Sequence, residues 1–229
     1  MSTQIKDTPR KRTVTIPSGN RRLPGILCVP DSAAGVVAFA HGSGSGRFSP
    51  RNQMVAERLQ EAGLATLLMD LLDEEEAEDR SKVFDIDLLA ERLQSATDWL
   101  RGEAETSKLF IGYFGASTGA AAALVAAAKQ PAGVGAVVSR GGRPDMAGPY
   151  LQSVRAPTLL IVGGDDELVL ELNQEAYALL ECPKHLAVIP RATHLFPEPG
   201  ALEEVARLAA EWFAQHLQGG AVGCGGGCA

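Results

Sequence analysis

Short apolar runs recur along the chain and alternate with segments in which apolar residues return every three or four positions. The nearly continuous runs cover residues 35–41, 64–72, 109–115, 134–139, 158–164 and 185–190. Runs of this kind are typical of strands that are covered on both faces, as in a parallel sheet. The pattern therefore predicts a buried strand at each of them.

Two earlier segments, 12–17 and 23–30, alternate apolar with other residues instead, and each ends in proline. Alternation indicates strands with one face exposed, and proline is tolerated at strand ends and edges. We therefore predict that these two segments form an antiparallel hairpin ahead of the parallel strands.

The segments between the buried runs have helical spacing. Ser49 followed by Pro50 is a typical helix start, and Gly63 is a typical stop. Two later stripes have the spacing of one helix face: Ile86, Leu89, Leu93, Ala96 and Leu100, and Leu202, Val205, Leu208, Trp212 and Phe213. Strands alternating with helices predict a doubly wound α/β domain.

We expect this domain to be single and to span residues 1–218, followed by a flexible glycine- and cysteine-rich tail at 219–229. Cys224 and Cys228 lie in that tail. Two thiols fall short of the four ligands of a structural zinc site, so we expect no metal.

The chain has 229 residues, and its formal net charge of -7 disfavours a nucleic-acid partner, which needs a basic face. No apolar run reaches the roughly 18 residues of a membrane span, and the N-terminus lacks the apolar segment of a secretory signal. We therefore expect a cytoplasmic protein with a small-molecule substrate, no nucleic acid and no membrane. The sequence does not determine its oligomeric state.

The acidic run 73–80 follows the second buried strand. It is interpreted as a solvated connection, or as a lid over a site.

Residues Gly115, Ala116, Ser117, Thr118 and Gly119 stand where a buried strand meets an alanine-rich helix. They satisfy the Gly-x-Ser-x-Gly pattern of a nucleophile elbow. In such a turn a strained serine projects its hydroxyl clear of the sheet, and small neighbours allow the helix to pass close to the strand. The alternative is an ordinary turn in which Ser117 only caps the helix.

A serine nucleophile needs a base, usually histidine. His194 follows the last buried strand, so it would lie at the same sheet edge as Ser117. The acid of a triad should follow an earlier strand, where Asp165 and Asp166 both qualify. We favour Asp166 and leave Asp165 open.

The loop after the strand at 35–41 carries Gly42, Gly44 and Gly46 but has neither dinucleotide-binding spacing nor a phosphate-loop lysine. It instead suits an oxyanion hole formed by the N–H groups of Ser43 and Thr118.

Candidate pocket residues are His41, Arg47, Arg140 and Arg143. Arg140 or Arg143 could bind a substrate carboxylate, although pairing with a local acid such as Asp145 explains them equally well. Arg47 and Arg51, near the glycine loop, are similarly ambiguous.

From about Val14 to Leu217 the chain resembles the α/β-hydrolase superfamily, and within it the dienelactone hydrolase-like group. The motifs that carry the resemblance are FAHGSGSG, GYFGASTGAAAAL, IVGGDDELV and ATHLF. The resemblance implies a mostly parallel sheet of about eight strands flanked by helices, no cofactor, Asp166 as the acid and His194 as the base. Dienelactone hydrolases proper have a cysteine nucleophile, where this chain has Ser117. We expect no counterpart of a large cap domain, since only 73–84 could cover the site.

These observations predict a serine hydrolase that cleaves carboxylic esters or lactones through a Ser-His-Asp triad and an acyl-enzyme intermediate. Two alternatives remain open. One is a non-catalytic binding protein of the same fold. The other is a hydrolase of thioester, amide or phosphoester bonds.

Overall fold

The computed structural model describes residues 10–217, which form eight β-strands and seven α-helices. The strands are β1 (Arg10–Ser18), β2 (Arg21–Val29), β3 (Gly35–Ala40), β4 (Ala65–Met69), β5 (Phe110–Ala116), β6 (Ala136–Arg140), β7 (Thr158–Gly163) and β8 (Lys184–Ile189). The helices are α1 (Pro50–Glu61), α2 (Glu74–Glu78), α3 (Arg80–Val83), α4 (Ile86–Gly102), α5 (Thr118–Lys129), α6 (Glu167–Leu179) and α7 (Ala201–His216). A 3₁₀ segment, Pro144–Ser153, follows β6.

All eight strands belong to one sheet, in the order β1-β2-β4-β3-β5-β6-β7-β8. The pairs β1–β2 and β2–β4 are antiparallel, whereas the six strands β3 to β8 are all parallel to one another. The predicted N-terminal hairpin and the predicted mostly parallel sheet flanked by helices are therefore confirmed.

Each face of the sheet is covered by its own layer of helices. Tyr113 packs with α4 and α5 on one face, while Phe114 packs with α1 and α7 on the other. Successive residues of a strand point to opposite faces, so neighbouring apolar residues enter different cores. This explains why β3 to β7 read as continuous apolar runs. The predicted burial is wrong for β8, because this strand lies at the edge of the sheet and only Ile189 in it is buried.

The predicted helix start at Ser49 is confirmed in α1, and α4 begins with a similar cap at Asp85. The Ser49 side chain accepts a hydrogen bond from the Asn52 N–H at 3.4 Å, and the Asp85 side chain accepts one from the Leu88 N–H at 3.0 Å. These caps satisfy N–H groups that a helix leaves without partners in its first turn.

The acidic run does not form the simple solvated connection that charge alone suggests. It forms α2 and α3, and Glu76 is buried against Arg92, with 3.0 Å between the Glu76 carboxylate and the guanidinium. The solvated interpretation is therefore wrong for Glu76. This contact attaches the segment to α4.

The predicted tail with Cys224 and Cys228 lies outside the described residues. None of the helices within 10–217 combines the length and apolar character that crossing a membrane requires.

Substituting Gly119 by alanine is expected to destabilise the fold. A Cβ there would lie 2.2 Å from the Ala40 carbonyl oxygen and 2.5 Å from that of His41. Both contacts are to backbone, so relief requires β3 and α5 to move apart, at a cost of about 3 kcal/mol or more. Urea unfolding measures the change. The control is Gly102→Ala, where a Cβ meets nothing within 4 Å and stability should be retained. Equal stability of the two variants would contradict this packing.

Candidate active site

Ser117 lies at the turn between β5 and α5 with φ 51° and ψ -123°. A positive φ is costly for a residue with a side chain, by about 1 to 3 kcal/mol. The Ser117 side chain makes no capping hydrogen bond to α5. The turn therefore has the strained geometry expected of a nucleophile elbow and lacks the contact expected of a serine that only caps a helix.

The loop after β6 holds this turn in place. The Ser117 N–H donates to the Arg140 carbonyl at 3.3 Å, and the Ser117 carbonyl accepts from the Arg143 N–H at 3.1 Å. Backbone bonds on both sides of the residue can offset the strain, because a strained conformation persists only where its surroundings fix it.

His194 and Asp166 form a close pair, with 2.7 Å between His194 Nδ1 and Asp166 Oδ2. Asp166 immediately precedes α6, and its side chain is largely buried, whereas Asp165 is exposed. A carboxylate at Nδ1 fixes the ring and leaves Nε2 to accept a proton. Of the two aspartates considered, the structure thus brings Asp166 to the histidine.

The histidine loop and the serine turn meet at Gly141. A Cβ on Gly141 would lie 3.0 Å from the His194 carbonyl oxygen and 3.6 Å from His194 Nδ1. Its neighbour Arg140 bonds to the Ser117 N–H. No hydrogen bond joins Ser117 Oγ to His194 Nε2 in the part of the chain that the structure describes. Contacts of this type often tighten only when substrate binds.

A buried asparagine, Asn173, ties the helix after the acid to the loop that supports the serine. Its side-chain amide donates to the Gly142 carbonyl at 3.0 Å and to the Val169 carbonyl at 2.7 Å. The sequence offered a signal for it, because Asn173 interrupts the buried stripe of α6 formed by Val169 and Ala176. A polar side chain on such a stripe needs a specific partner.

The glycine loop lies directly against the serine, since a Cβ on Gly42 would come 3.0 Å from Ser117 Cβ. The Ser43 N–H donates to Thr118 Oγ1 at 3.1 Å. This proposed oxyanion donor is thus positioned beside the turn but already has an acceptor. An oxyanion would have to displace the Thr118 hydroxyl from it. The oxyanion roles of Ser43 and Thr118 remain predictions.

His41 is held through both ring nitrogens. The Leu71 N–H donates to His41 Nε2 at 3.0 Å, so the proton lies on Nδ1, which donates to the Gly42 carbonyl at 2.9 Å. Burial lowers the pKa of His41 and favours this neutral form. The predicted pocket residue therefore fixes the glycine loop.

A cavity of about 990 Å³ opens beside the turn. Ser43 and Thr118 line it near Ser117, Arg51 lines it at the start of α1, and Asp73 and Val83 line it from the segment of α2 and α3. Its size is within the range of small-molecule sites.

Two of the candidate arginines have acidic partners. Arg143 binds Asp145 in a bidentate pair, at 2.8 Å from Nε and 2.7 Å from Nη2, and Arg47 is paired with Asp70. Local pairing, the alternative raised from the sequence, therefore accounts for Arg143. Arg140 is different, because it is buried and forms no ion pair within residues 10–217.

The described residues contain no group of three or more His, Cys, Asp or Glu side chains that could hold a metal ion. Cys28, in β2, and Cys182, in the connection between α6 and β8, are buried free thiols.

The sequence is similar to known proteins over most of its length. It is 58% identical over 210 residues to a protein of Mycobacterium tuberculosis named "Putative phosphoribosyl transferase", covering 92% of this chain and 47% of that protein. The chain thus spans about half the length of the curated relatives it matches.

Two solved structures share the fold. The dienelactone hydrolase from Anabaena variabilis is 57% identical with a TM-score of 0.89, over 92% of this chain and 99% of that chain. Est1E from Butyrivibrio proteoclasticus is 17% identical with a TM-score of 0.76, over 89% and 98%, a likeness of fold alone. Residues 23–217 match the dienelactone hydrolase family. The chain belongs to the dienelactone hydrolase family, within the α/β-hydrolase fold.

Proposed function

We propose that the protein is a serine hydrolase that cleaves carboxylic esters or lactones, with Ser117 as nucleophile, His194 as base and Asp166 as the acid that orients it. Membership of a hydrolase family supports hydrolysis as the reaction class. The type of bond cleaved and the roles of the three residues are our proposal. The observation that carries it is that Ser117 lies in a strained turn and its side chain does not cap α5. The Ser117 N–H bonds to the Arg140 carbonyl, beside the His194–Asp166 pair.

The reaction begins when His194 Nε2 takes the proton of Ser117 Oγ as the oxygen attacks the ester carbonyl carbon. The resulting oxyanion is stabilised by the N–H groups of Ser43 and Thr118. The protonated histidine then gives its proton to the departing alcohol, and the acyl group remains on Ser117. Water attacks this acyl-enzyme with the same histidine as base, releasing the acid and restoring the serine.

A serine in place of the family's cysteine changes what the site must supply. A cysteine is partly ionised near neutral pH, whereas a serine hydroxyl is a weak nucleophile without an adjacent base. The close His194–Asp166 pair provides the support that a serine requires. Acyl transfer is therefore retained in our proposal, while the lactone substrate of cysteine members is not assumed.

The name of the mycobacterial relative suggests phosphoribosyl transfer as another activity. That name belongs to a protein of which this chain spans 47%. The part represented by this chain matches the dienelactone hydrolase family over residues 23–217. We therefore propose hydrolysis, and not phosphoribosyl transfer, for this chain.

A ladder of 4-nitrophenyl esters from acetate to long acyl chains tests the proposed function. We expect turnover to be highest for the short chains, because α2 and α3 line the cavity and the described residues contain no larger cap that would enclose a long acyl chain. The turnover of the best ester is then compared with that of its thioester and amide analogues, in which sulfur or nitrogen replaces the ester oxygen. If no ester is turned over and Ser117 fails to react with a phosphonate, the binding-protein alternative would be favoured instead.

A further inference from the structure

Arg140 ends β6 and is buried, with only 7% of its surface exposed. Its Nε and Nη1 atoms are inaccessible and have no hydrogen-bond partner. A buried guanidinium without a partner is unfavourable, because the charge loses its hydration and gains nothing in return. Such a group calls for a ligand or a partner that satisfies it.

The charge that acts on Arg140 has the same sign as its own. Burial, followed by the positive charge of Arg51, lowers the pKa of Arg140 to about 10. Arg140 nevertheless stays protonated near neutral pH. Arg51 also has a buried, unpartnered Nε. Neither arginine has a carboxylate within 4 Å across residues 10–217.

The fold explains why these two residues lie near each other. Val138 of β6 and Val55 of α1 belong to the same core. Arg140 lies two residues after Val138, on the same face of β6. Arg51 lies one helical turn before Val55 in α1. Because α1 follows β3 and runs back across the sheet, its first turn lies at the carboxyl edge, where β6 ends. Arg51 also lines the cavity beside Ser117.

Other arginines of the chain, buried or half-buried, have acids opposite them. These pairs are Arg21–Asp73, Arg47–Asp70, Arg92–Glu76 and Arg143–Asp145. The chain as a whole carries a net charge of -7, so acids are plentiful. The corner formed by Arg51 and Arg140 is therefore an exception within the described residues.

We propose that Arg51 and Arg140 form an oxyanion-binding site next to the triad, and that its ligand is a phosphate group. A guanidinium presents two parallel N–H donors to neighbouring oxygens, and two such groups match the charge of a dianion better than that of a carboxylate. The N-terminus of α1 adds partial positive charge at the same place. Inorganic phosphate and a phosphate carried by the ester substrate share this chemistry.

Thermal unfolding in inorganic phosphate tests the site without relying on the proposed hydrolase activity. At constant ionic strength set with sodium chloride, we expect saturable stabilisation. At a hundredfold excess over Kd the wild-type Tm should rise by about 5 to 10 °C. Arg51→Gln should abolish the rise. Arg58→Gln is the matched control, since Arg58 lies on the same helix, half exposed and paired only with Glu61, and it should retain the rise.

The Arg140→Met variant distinguishes two roles of Arg140, binding a ligand and stabilising the fold. Methionine fills similar space without charge, so in phosphate-free buffer its Tm should equal or exceed that of wild type, with no response to phosphate. A wild-type Tm that phosphate leaves unchanged, or raises equally in Arg51→Gln, would overturn the proposal. Either result would mean that water, and not a ligand, accepts the hydrogen bonds of the two arginines.

Competition kinetics then distinguish a site for the anionic part of a substrate from a site for free phosphate. This step rests on the proposed function. Two nitrophenyl esters of similar length are compared, the neutral butyrate and the anionic hemisuccinate. If the site binds the anionic part of a substrate, phosphate should raise KM for the hemisuccinate and leave the butyrate unchanged. If it binds free phosphate away from the acyl group, neither KM should change. Both results, given the Tm response, support the site.

Discussion

Replacing Ser117 with alanine is expected to lower kcat/KM for 4-nitrophenyl acetate by about a thousandfold or more. The substitution removes the atom that forms the acyl-enzyme, and the remaining rate comes from binding and from whatever oxyanion stabilisation survives. Steady-state kinetics of purified wild type and variant measure the loss. The change removes one oxygen and keeps the Cβ, so the strained turn and its backbone bonds to Arg140 and Arg143 should persist.

Ser43→Ala is the matched control for this experiment. Ser43 lines the cavity beside the turn, but the role we assign to it uses its backbone N–H, which alanine retains. Its kcat/KM should stay within a few-fold of wild type. A Ser117→Ala enzyme that retains activity within tenfold of wild type would exclude Ser117 as the nucleophile.

Replacing Asp166 with asparagine is expected to lower kcat by about a thousandfold to ten-thousandfold. The carboxylate accepts a hydrogen bond from His194 Nδ1 at 2.7 Å, whereas an asparagine side chain can turn its NH₂ group toward that atom. The ring would then carry its proton on Nε2, where it cannot accept the proton of Ser117. Because binding does not depend on Asp166, the loss should fall on kcat and leave KM nearly unchanged.

Asp165→Asn is the control that the sequence itself provides. Asp165 is exposed, and its N–H bonds to the Ala192 carbonyl at 2.9 Å, a contact that the substitution keeps. Its kcat should remain within a few-fold of wild type. If Asp165→Asn were the damaging change and Asp166→Asn nearly neutral, the assignment of the acid would be reversed.

The central strands β3 to β7 were predictable because they are covered on both faces. A strand such as β3 must be apolar at every position, which leaves an unbroken run in the sequence. The order of the strands was not predictable in this way. β4 lies between β2 and β3, an arrangement fixed by long-range packing, and no local pattern records it.

The acidic segment shows a different limit of sequence interpretation. A run of like charges predicts solvation on average, but Glu76 is buried because Arg92, sixteen positions away, reaches it. The partner of a buried charge is set by how helices pack, so local composition cannot identify it.

The candidate site was predictable where a backbone requirement leaves a mark on the sequence. The turn at Ser117 needs small residues at Gly115 and Gly119, so the motif itself is visible. Choosing between Asp165 and Asp166 depended on which side chain faces His194, which the resemblance suggested and the geometry supports. The contrast between Arg143 and Arg140 could not be predicted, because both lie near the end of the same strand and only the folded chain shows that Arg140 is buried while Arg143 reaches Asp145.

The central claim is that Ser117 is an activated nucleophile, and covalent labelling tests it most directly. The wild-type protein is treated with a fluorophosphonate, digested, and analysed by mass spectrometry, with ester hydrolysis followed in parallel. We expect one phosphonate per chain, located on Ser117, with activity falling in proportion to labelling and no label in Ser117→Ala. Loss of activity with the label on another residue, or undiminished labelling of Ser117→Ala, would contradict it.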